Sequence, residues 1–136
     1  LPIGVADIKR AGSDVTVVSF GKIIKEAYKA ADLLEKEGIS CEIIDLRTVR
    51  PLDINTVLQS VKKTNRLVIL EEAWPFGNVS TEITYQIQEK AFDYLDAPIV
   101  KINTADTPAP YSPVLLEEWL PNSGDVVKGV KKVLYK

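Results

Sequence analysis

Short β-branched runs alternate along the chain with stretches whose apolar residues recur every three or four positions. Val15-Thr16-Val17-Val18-Ser19-Phe20 has the length and composition of a strand, and its nearly unbroken apolar character predicts burial on both faces. Ile23, Ile24, Ala27, Tyr28, Ala31 and Leu34 then mark one face of a helix that ends at Gly38, a natural left-handed cap. A second strand is expected over residues 39–46. Pro51 disfavours helix in the residue before it, and Asp53 is a good N-cap for a helix to about residue 63. Arg66-Leu67-Val68-Ile69-Leu70 reads as a third buried strand, ending in Glu71-Glu72. A long helix is expected over about 78–95, with Val79, Ile83, Ile87 and Ala91 on one face, followed by a strand at 99–102. Pro108, Pro110 and Pro113 interrupt the next stretch and predict a loop with neither helix nor strand. A closing helix carries Val126, Val127, Val130, Val133 and Leu134, with Ser123 as its N-cap.

Strands separated by single helices imply parallel pairing through right-handed crossovers, hence a three-layer α/β/α sandwich. The segment 5–10 lies four residues before the first of these strands, with Gly12 between. It is a candidate edge strand whose pairing the pattern does not specify. With 136 residues, 46% apolar and 26% charged, the chain has the material for a single domain, 1–136, without disulfide or metal staples.

Charge and rare residues narrow the chemistry. Seventeen basic against nineteen acidic residues give a net charge of −2, which argues against a generic electrostatic grip on nucleic acid. No apolar run approaches the roughly 18 residues of a membrane span, so no membrane association is expected. There is no histidine, which removes the commonest general base, metal ligand and partner of a Ser or Cys nucleophile. A single cysteine makes neither a disulfide nor a zinc site and fits a reducing compartment. A self-contained hydrolase, metalloenzyme or thiol protease is therefore not expected. No signal peptide is expected, and the opening Leu1-Pro2-Ile3-Gly4 reads as a piece of a longer polypeptide.

In such a sheet, ligands bind beyond the carboxyl ends of the strands. Those ends carry Ser19-Phe20-Gly21, Arg47-Thr48, Glu71-Glu72 and Asn103-Thr104. They contain no dinucleotide fingerprint, no phosphate loop and no acidic phospho-receiver pocket. Glu71 and Glu72 are placed for acid–base work, but adjacent strand residues point opposite ways, which favours a solvated strand end. Arg47 and Arg50 either hold an anion or brace their loop against carboxylates, and bracing is favoured. A regulatory module binding a small anionic metabolite near Arg47 and Glu71 stands as an alternative function. Cys41 reads as a small core hydrophobe. Trp74 and Trp119, each near a loop, are interface anchors or fillers of a local pocket. On residues alone this is a binding or assembly domain without an evident active centre.

Several motifs are recognisable. Pro2-x-Gly4-x-Ala6-x-Ile8-x-Arg10-x-Gly12, followed by Asp14-Val15-Thr16-Val17-Val18-Ser19, resembles the start of the transketolase C-terminal domain. Glu37-Gly38-Ile39, Ile44-Asp45-Leu46-Arg47-Thr48-Val49-Arg50-Pro51-Leu52-Asp53 and Lys63-Thr64-Asn65-Arg66 continue the match across essentially the whole chain. Trp74-Pro75, Asp96-Ala97-Pro98 and Asp106-x-Pro108-x-Pro110-Tyr111 are similar to beta subunits of the decarboxylating component of pyruvate dehydrogenase. Branched-chain 2-oxoacid and acetoin dehydrogenases are the alternative relatives. The segment from Ala73 to Ile83 lacks two glycines of the usual family pattern, leaving Asn78 and Ser80 to cap the helix.

The resemblance implies a five-stranded, mostly parallel sheet of order 1-3-2-4-5 with strand 1 antiparallel. It implies a parent α2β2 enzyme that decarboxylates pyruvate with thiamine diphosphate and Mg²⁺ and reductively acetylates lipoyl groups. In that family the cofactor lies between the alpha subunit and the beta subunit's N-terminal pyrimidine-binding domain, which this sequence does not include. No catalytic, cofactor-binding or metal residue is therefore carried over, and the isolated domain is expected to be inactive. The implied partners are the alpha subunit, a second beta subunit and the peripheral subunit-binding domain of dihydrolipoyl acetyltransferase. Asp96 and the terminal carboxylate of Lys136 are the implied acceptors for that last partner. The implied compartment is the bacterial cytoplasm, or the mitochondrial matrix in a eukaryote.

Overall fold

The structure, a computed structural model, describes residues 2–136. Its strands are β1 (Asp7–Arg10), β2 (Val15–Ser19), β3 (Cys41–Asp45), β4 (Leu67–Leu70) and β5 (Val100–Ile102). Between and after them run α1 (Ile24–Glu35), α2 (Ile54–Thr64), α3 (Val79–Ala91), α4 (Pro113–Trp119) and α5 (Ser123–Val133). The sheet order is β1-β3-β2-β4-β5, as the resemblance implies. β1 runs antiparallel to β3, with Asp7 opposite Asp45 and a register shift between Ile8 and Arg10; the other pairs are parallel. The candidate edge strand is thus β1.

Successive strand side chains alternate between the two faces, and the apolar residues divide accordingly. Val15, Val17, Ile43, Val68 and Leu70 pack under α1 and α5 with Ala27, Ala31, Leu34, Val126, Val130 and Val133. Val18, Ile44, Leu67 and Ile69 pack on the other face against Val57, Val61, Ile83 and Ile87 of α2 and α3. The near-continuous apolar runs are explained by this burial on both sides. Gly38 has φ +80°, the left-handed cap expected after α1.

Three local expectations are corrected. Pro113 does not extend a loop but opens α4, where a fixed φ suits the first turn and the missing N–H has no intrahelical partner to lose. The cap of α5 is Asn122, one residue before Ser123. Its side chain accepts from Asp125 N at 3.0 Å while Asp125 accepts from Asn122 N at 3.0 Å, a reciprocal capping box. The long helix expected to residue 95 stops at Ala91 and tightens into a 3₁₀ turn over Phe92–Tyr94.

Cys41 is buried in β3, and burial pushes its thiol up to about 11. Neither access nor ionisation favours reaction at neutral pH. Labelling by a thiol reagent at pH 8 is expected to follow global unfolding and to accelerate steeply with urea. Rapid labelling of the folded chain would contradict the burial.

A polar seam crosses the α2 side of the sheet. Glu42 accepts from Gly12 N (3.2 Å), Ser60 Oγ (2.6 Å) and Lys63 Nζ, and Thr16 shares hydrogen bonds with Ser60 (2.6 Å) and Thr64 (2.7 Å). Burial alone pushes the Glu42 carboxyl up, but the bonds from Lys63, Ser60 and Gly12 outweigh it and hold it below the usual carboxylate range. Asp53 is likewise lowered: its burial is outweighed by bonds from Thr56 and Ala6 N. Because both folded pKa values lie below the unfolded ones, the unfolded chain binds more protons in acid. The stability these carboxylates contribute is complete above about pH 5 and is lost as pH falls through their folded values. With no histidine to titrate, Tm is expected to stay level between about pH 6 and 8 and to fall below about pH 5. Glu42→Gln should flatten that acid limb, and an unchanged limb would show that Glu42 does not contribute to it.

Candidate functional site

At the carboxyl edge of the parallel strands, the acid that follows β4 is taken up by its own neighbours. Glu71 follows β4 and is fully buried. It accepts from Ser80 Oγ, from Ser80 N at 3.2 Å and from Asn103 Nδ2 at 2.7 Å. The expected solvated strand end is therefore corrected for Glu71, while Glu72 is exposed. The cause is α3, whose first turn lies over the strand end and presents a free N–H to the carboxylate. Ser80, read as a cap residue, instead points inward to Glu71. Asn78 stands at the cap position but donates its amide to the carbonyls of Trp74 (2.5 Å) and Phe76 (3.1 Å).

Arg47 braces its loop, but against main-chain carbonyls and not carboxylates. Its guanidinium donates to Pro2 O at 3.3 Å and Val5 O at 3.4 Å, while Arg47 itself sits at φ +62°. Arg50 is exposed and makes no hydrogen bond or ion pair among the described residues. Arg47 and Glu71 thus bond to different parts of the fold.

The two tryptophans do converge. Trp74 Nε1 and Trp119 Nε1 both donate to Thr107 O, at 2.8 and 2.9 Å. Lys101 Nζ ties down the same region through Pro75 O (2.7 Å) and Thr81 Oγ1 (2.9 Å). The loops after β4 and β5 and the helix α4 form one pinned platform, from which Phe76, Tyr111, Val114 and Leu115 project into solvent.

Asp96 lies on a different surface. A groove of about 550 Å³ runs between α3 and the start of β5, with Phe92, Leu95, Asp96, Pro98 and Tyr135 among its lining. The Asp96 side chain is 56% exposed and 3.7 Å from Arg66 Nη2. Its main chain is fixed by Asp96 N donating to Asn65 O at 2.9 Å, and Tyr135 OH reaches Asp96 O at 3.5 Å. Lys136 N donates to Lys131 O at 2.9 Å, so the last residues are held to α5. Asp96 and the chain's last residues therefore meet at one groove through Tyr135. Phe92, Arg66 and Tyr135 were not visible as site residues, because only the packing of α3, β4 and α5 brings them together.

The family described as "Transketolase, C-terminal domain" matches residues 4–126. The chain is 54% identical over 136 residues to the pyruvate dehydrogenase E1 component subunit beta of Rhizobium meliloti (strain 1021), covering 100% of this chain and 30% of that one. It is 46% identical over 136 residues to subunit beta-2, mitochondrial, of Oryza sativa subsp. japonica, covering 100% and 36%. Among solved structures, a split-gene transketolase described as an inactive beta4 tetramer superposes with a TM-score of 0.86. It has 28% identity over 99% of this chain and 43% of that one. The 2-oxoglutarate:ferredoxin oxidoreductase from Magnetococcus marinus shares the fold alone, with a TM-score of 0.61, 12% identity and coverage of 96% and 19%. The chain spans well under half the length of these relatives.

Proposed function

Because the chain belongs to the transketolase C-terminal domain family, we propose that it is the assembly domain of a pyruvate dehydrogenase (acetyl-transferring) beta subunit. The observation that carries this reading is 54% identity along its whole length to such a subunit. In this role the domain pairs with a second beta subunit, supports the alpha subunit and docks the acetyltransferase core, while the chemistry on pyruvate is done elsewhere in the parent enzyme. The self-association named for the transketolase neighbour supports the pairing part of this reading. The compartment follows the parent, the bacterial cytoplasm or the mitochondrial matrix.

In this reading thiamine diphosphate and Mg²⁺, which the parent enzyme uses, are held by the rest of that enzyme. The Glu71 carboxylate is already occupied by Ser80 and Asn103, and no group of three His, Cys, Asp or Glu among the described residues is arranged to hold a metal. No chemical step is assigned to this chain. For docking, Asp96 offers a half-exposed carboxylate beside the apolar walls of Phe92, Leu95 and Pro98. That combination suits a basic side chain of the peripheral subunit-binding domain flanked by an apolar contact, with the carboxylate of Lys136 as a second acceptor.

The experiment is co-expression of the alpha subunit with a complete beta subunit, or with one from which this domain is deleted. Sedimentation is expected to give a heterotetramer only when the domain is present. Equal masses for the two assemblies would refute the assembly role.

A further inference from the structure

Two motifs far apart in the sequence meet in the fold. The turn 47–53 is held by its own bonds: Arg47 N donates to Asp45 Oδ1 (2.9 Å), Thr48 Oγ1 donates to Pro51 O (2.9 Å), and Asp53 caps α2 by accepting from Thr56 N (3.2 Å). Across its face lies the segment 2–6. The Arg47 guanidinium takes the carbonyls of Pro2 and Val5, and Asp53 Oδ2, which also accepts from Thr56 Oγ1 at 2.5 Å, accepts from Ala6 N at 2.9 Å. Between these contacts Gly4 sits at φ +85° directly against Pro51, where a Cβ would lie 2.8 Å from Pro51 Cγ. Ala6 is buried, whereas Ile3 is 86% and Val5 40% exposed. Gly4 and Ala6 thus face the turn, while the side chains of Ile3 and Val5 meet solvent.

We propose that the turn 47–53 is a clamp that reads the main chain of residues 2–6 and fixes the direction in which the polypeptide enters the domain. Every polar contact it makes with the segment is to a carbonyl or an N–H, so the clamp is indifferent to the side chains at positions 3 and 5. At position 4 it demands the absence of a side chain. The clamp lies outside the β2–β4 pairing, so it opens without opening the sheet. The consequence for the placement of a preceding domain rests on the parent-subunit reading above. The clamp itself does not, and it is testable in this chain alone.

The test is amide hydrogen exchange, resolved by NMR, on the 136-residue chain and its Arg47→Ala, Gly4→Ala and double variants. Arg47→Ala keeps an L-residue at the positive φ and removes the side chain beyond Cβ, guanidinium included. Gly4→Ala removes no hydrogen-bonding group. Each is expected to accelerate exchange at Ala6 N by at least about tenfold while the amides of Val17, Val18 and Ile69 keep their rates. The double variant is expected to exchange no faster than the faster single one, because either change alone opens the same clamp. Unchanged exchange at Ala6 in both single variants would overturn the proposal. So would equal acceleration across the core amides, or a double variant whose acceleration is the product of the two.

Discussion

Gly12→Ala is expected to detach the segment before β2 and to destabilise the chain by about 3 kcal/mol, near the upper end of overpacking costs. A Cβ at this position would stand 2.2 Å from Cys41 C, 2.4 Å from Glu42 N and 2.5 Å from Cys41 O. These are main-chain atoms of β3, a strand paired on both sides and unable to retreat. Moving residue 12 away instead breaks the bond from Gly12 N to Glu42 and unsettles the polar seam beneath it. Gly129→Ala is the control. Its Cβ would meet side chains and no main chain, the tip of Ile102 at 2.8 Å, which can swing aside, and Ile102 Cγ1 and Val100 Cγ1 at 3.4 Å, and alanine in a helix recovers up to about 1 kcal/mol over glycine. Urea denaturation should show a large loss for the first variant and a change below about 1 kcal/mol for the second. An unchanged midpoint for Gly12→Ala would contradict the packing described.

Glu71→Ala is expected to cost about 3 kcal/mol, because it strands Ser80 Oγ and Ser80 N in the interior without an acceptor and leaves Asn103 Nδ2 only its long bond to Trp74 O at 3.5 Å. The damage should be legible locally. The freed Asn103 and the first turn of α3 border the loop that holds Trp74 over the Thr107 carbonyl, so tryptophan emission should shift to the red before global unfolding. Glu71→Gln keeps the shape and one acceptor oxygen but turns an amide N–H₂ toward donors, and it should lose roughly half as much. Glu72→Ala, next to it and exposed, should stay within about 0.5 kcal/mol of the parent chain. A Glu71→Ala chain as stable as the parent would show that the buried carboxylate is dispensable.

The layers were legible because their periods are short. Burial on two faces at β2, β3 and β4 and helical spacing in α1 and α5 both follow from residues a few positions apart. The pairing of β1 was not, since Asp7, Lys9 and Arg10 give an outer strand no apolar signature. Its place came with the family resemblance. Pro113 masked α4, because a proline that forbids a helix interior is welcome in a first turn. Asn122 and Ser123 are both good caps, and only Asp125 three residues after Asn122 decides between them. The burial of Glu71 depends on Ser80 and Asn103, the latter 32 residues away, and no local pattern carries that information. For Arg47 the bracing role was legible, but its acceptors lie 42 and 45 residues back in the chain. Asp96 as a docking acceptor came from resemblance, and its groove with Tyr135 from the fold.

The docking role rests most directly on Asp96, and one titration tests it. The assembled heterotetramer is titrated with the peripheral subunit-binding domain in a calorimeter, comparing the parent protein, Asp96→Ala and a chain extended beyond Lys136. Removing one acceptor from a desolvated charge pair typically costs about 2–5 kcal/mol, which is at least about thirtyfold in affinity and appears mainly as faster dissociation. That loss is expected for Asp96→Ala, with a smaller one for the extended chain, whose terminal carboxylate is moved away. Parent-like affinity in both variants would contradict the docking role.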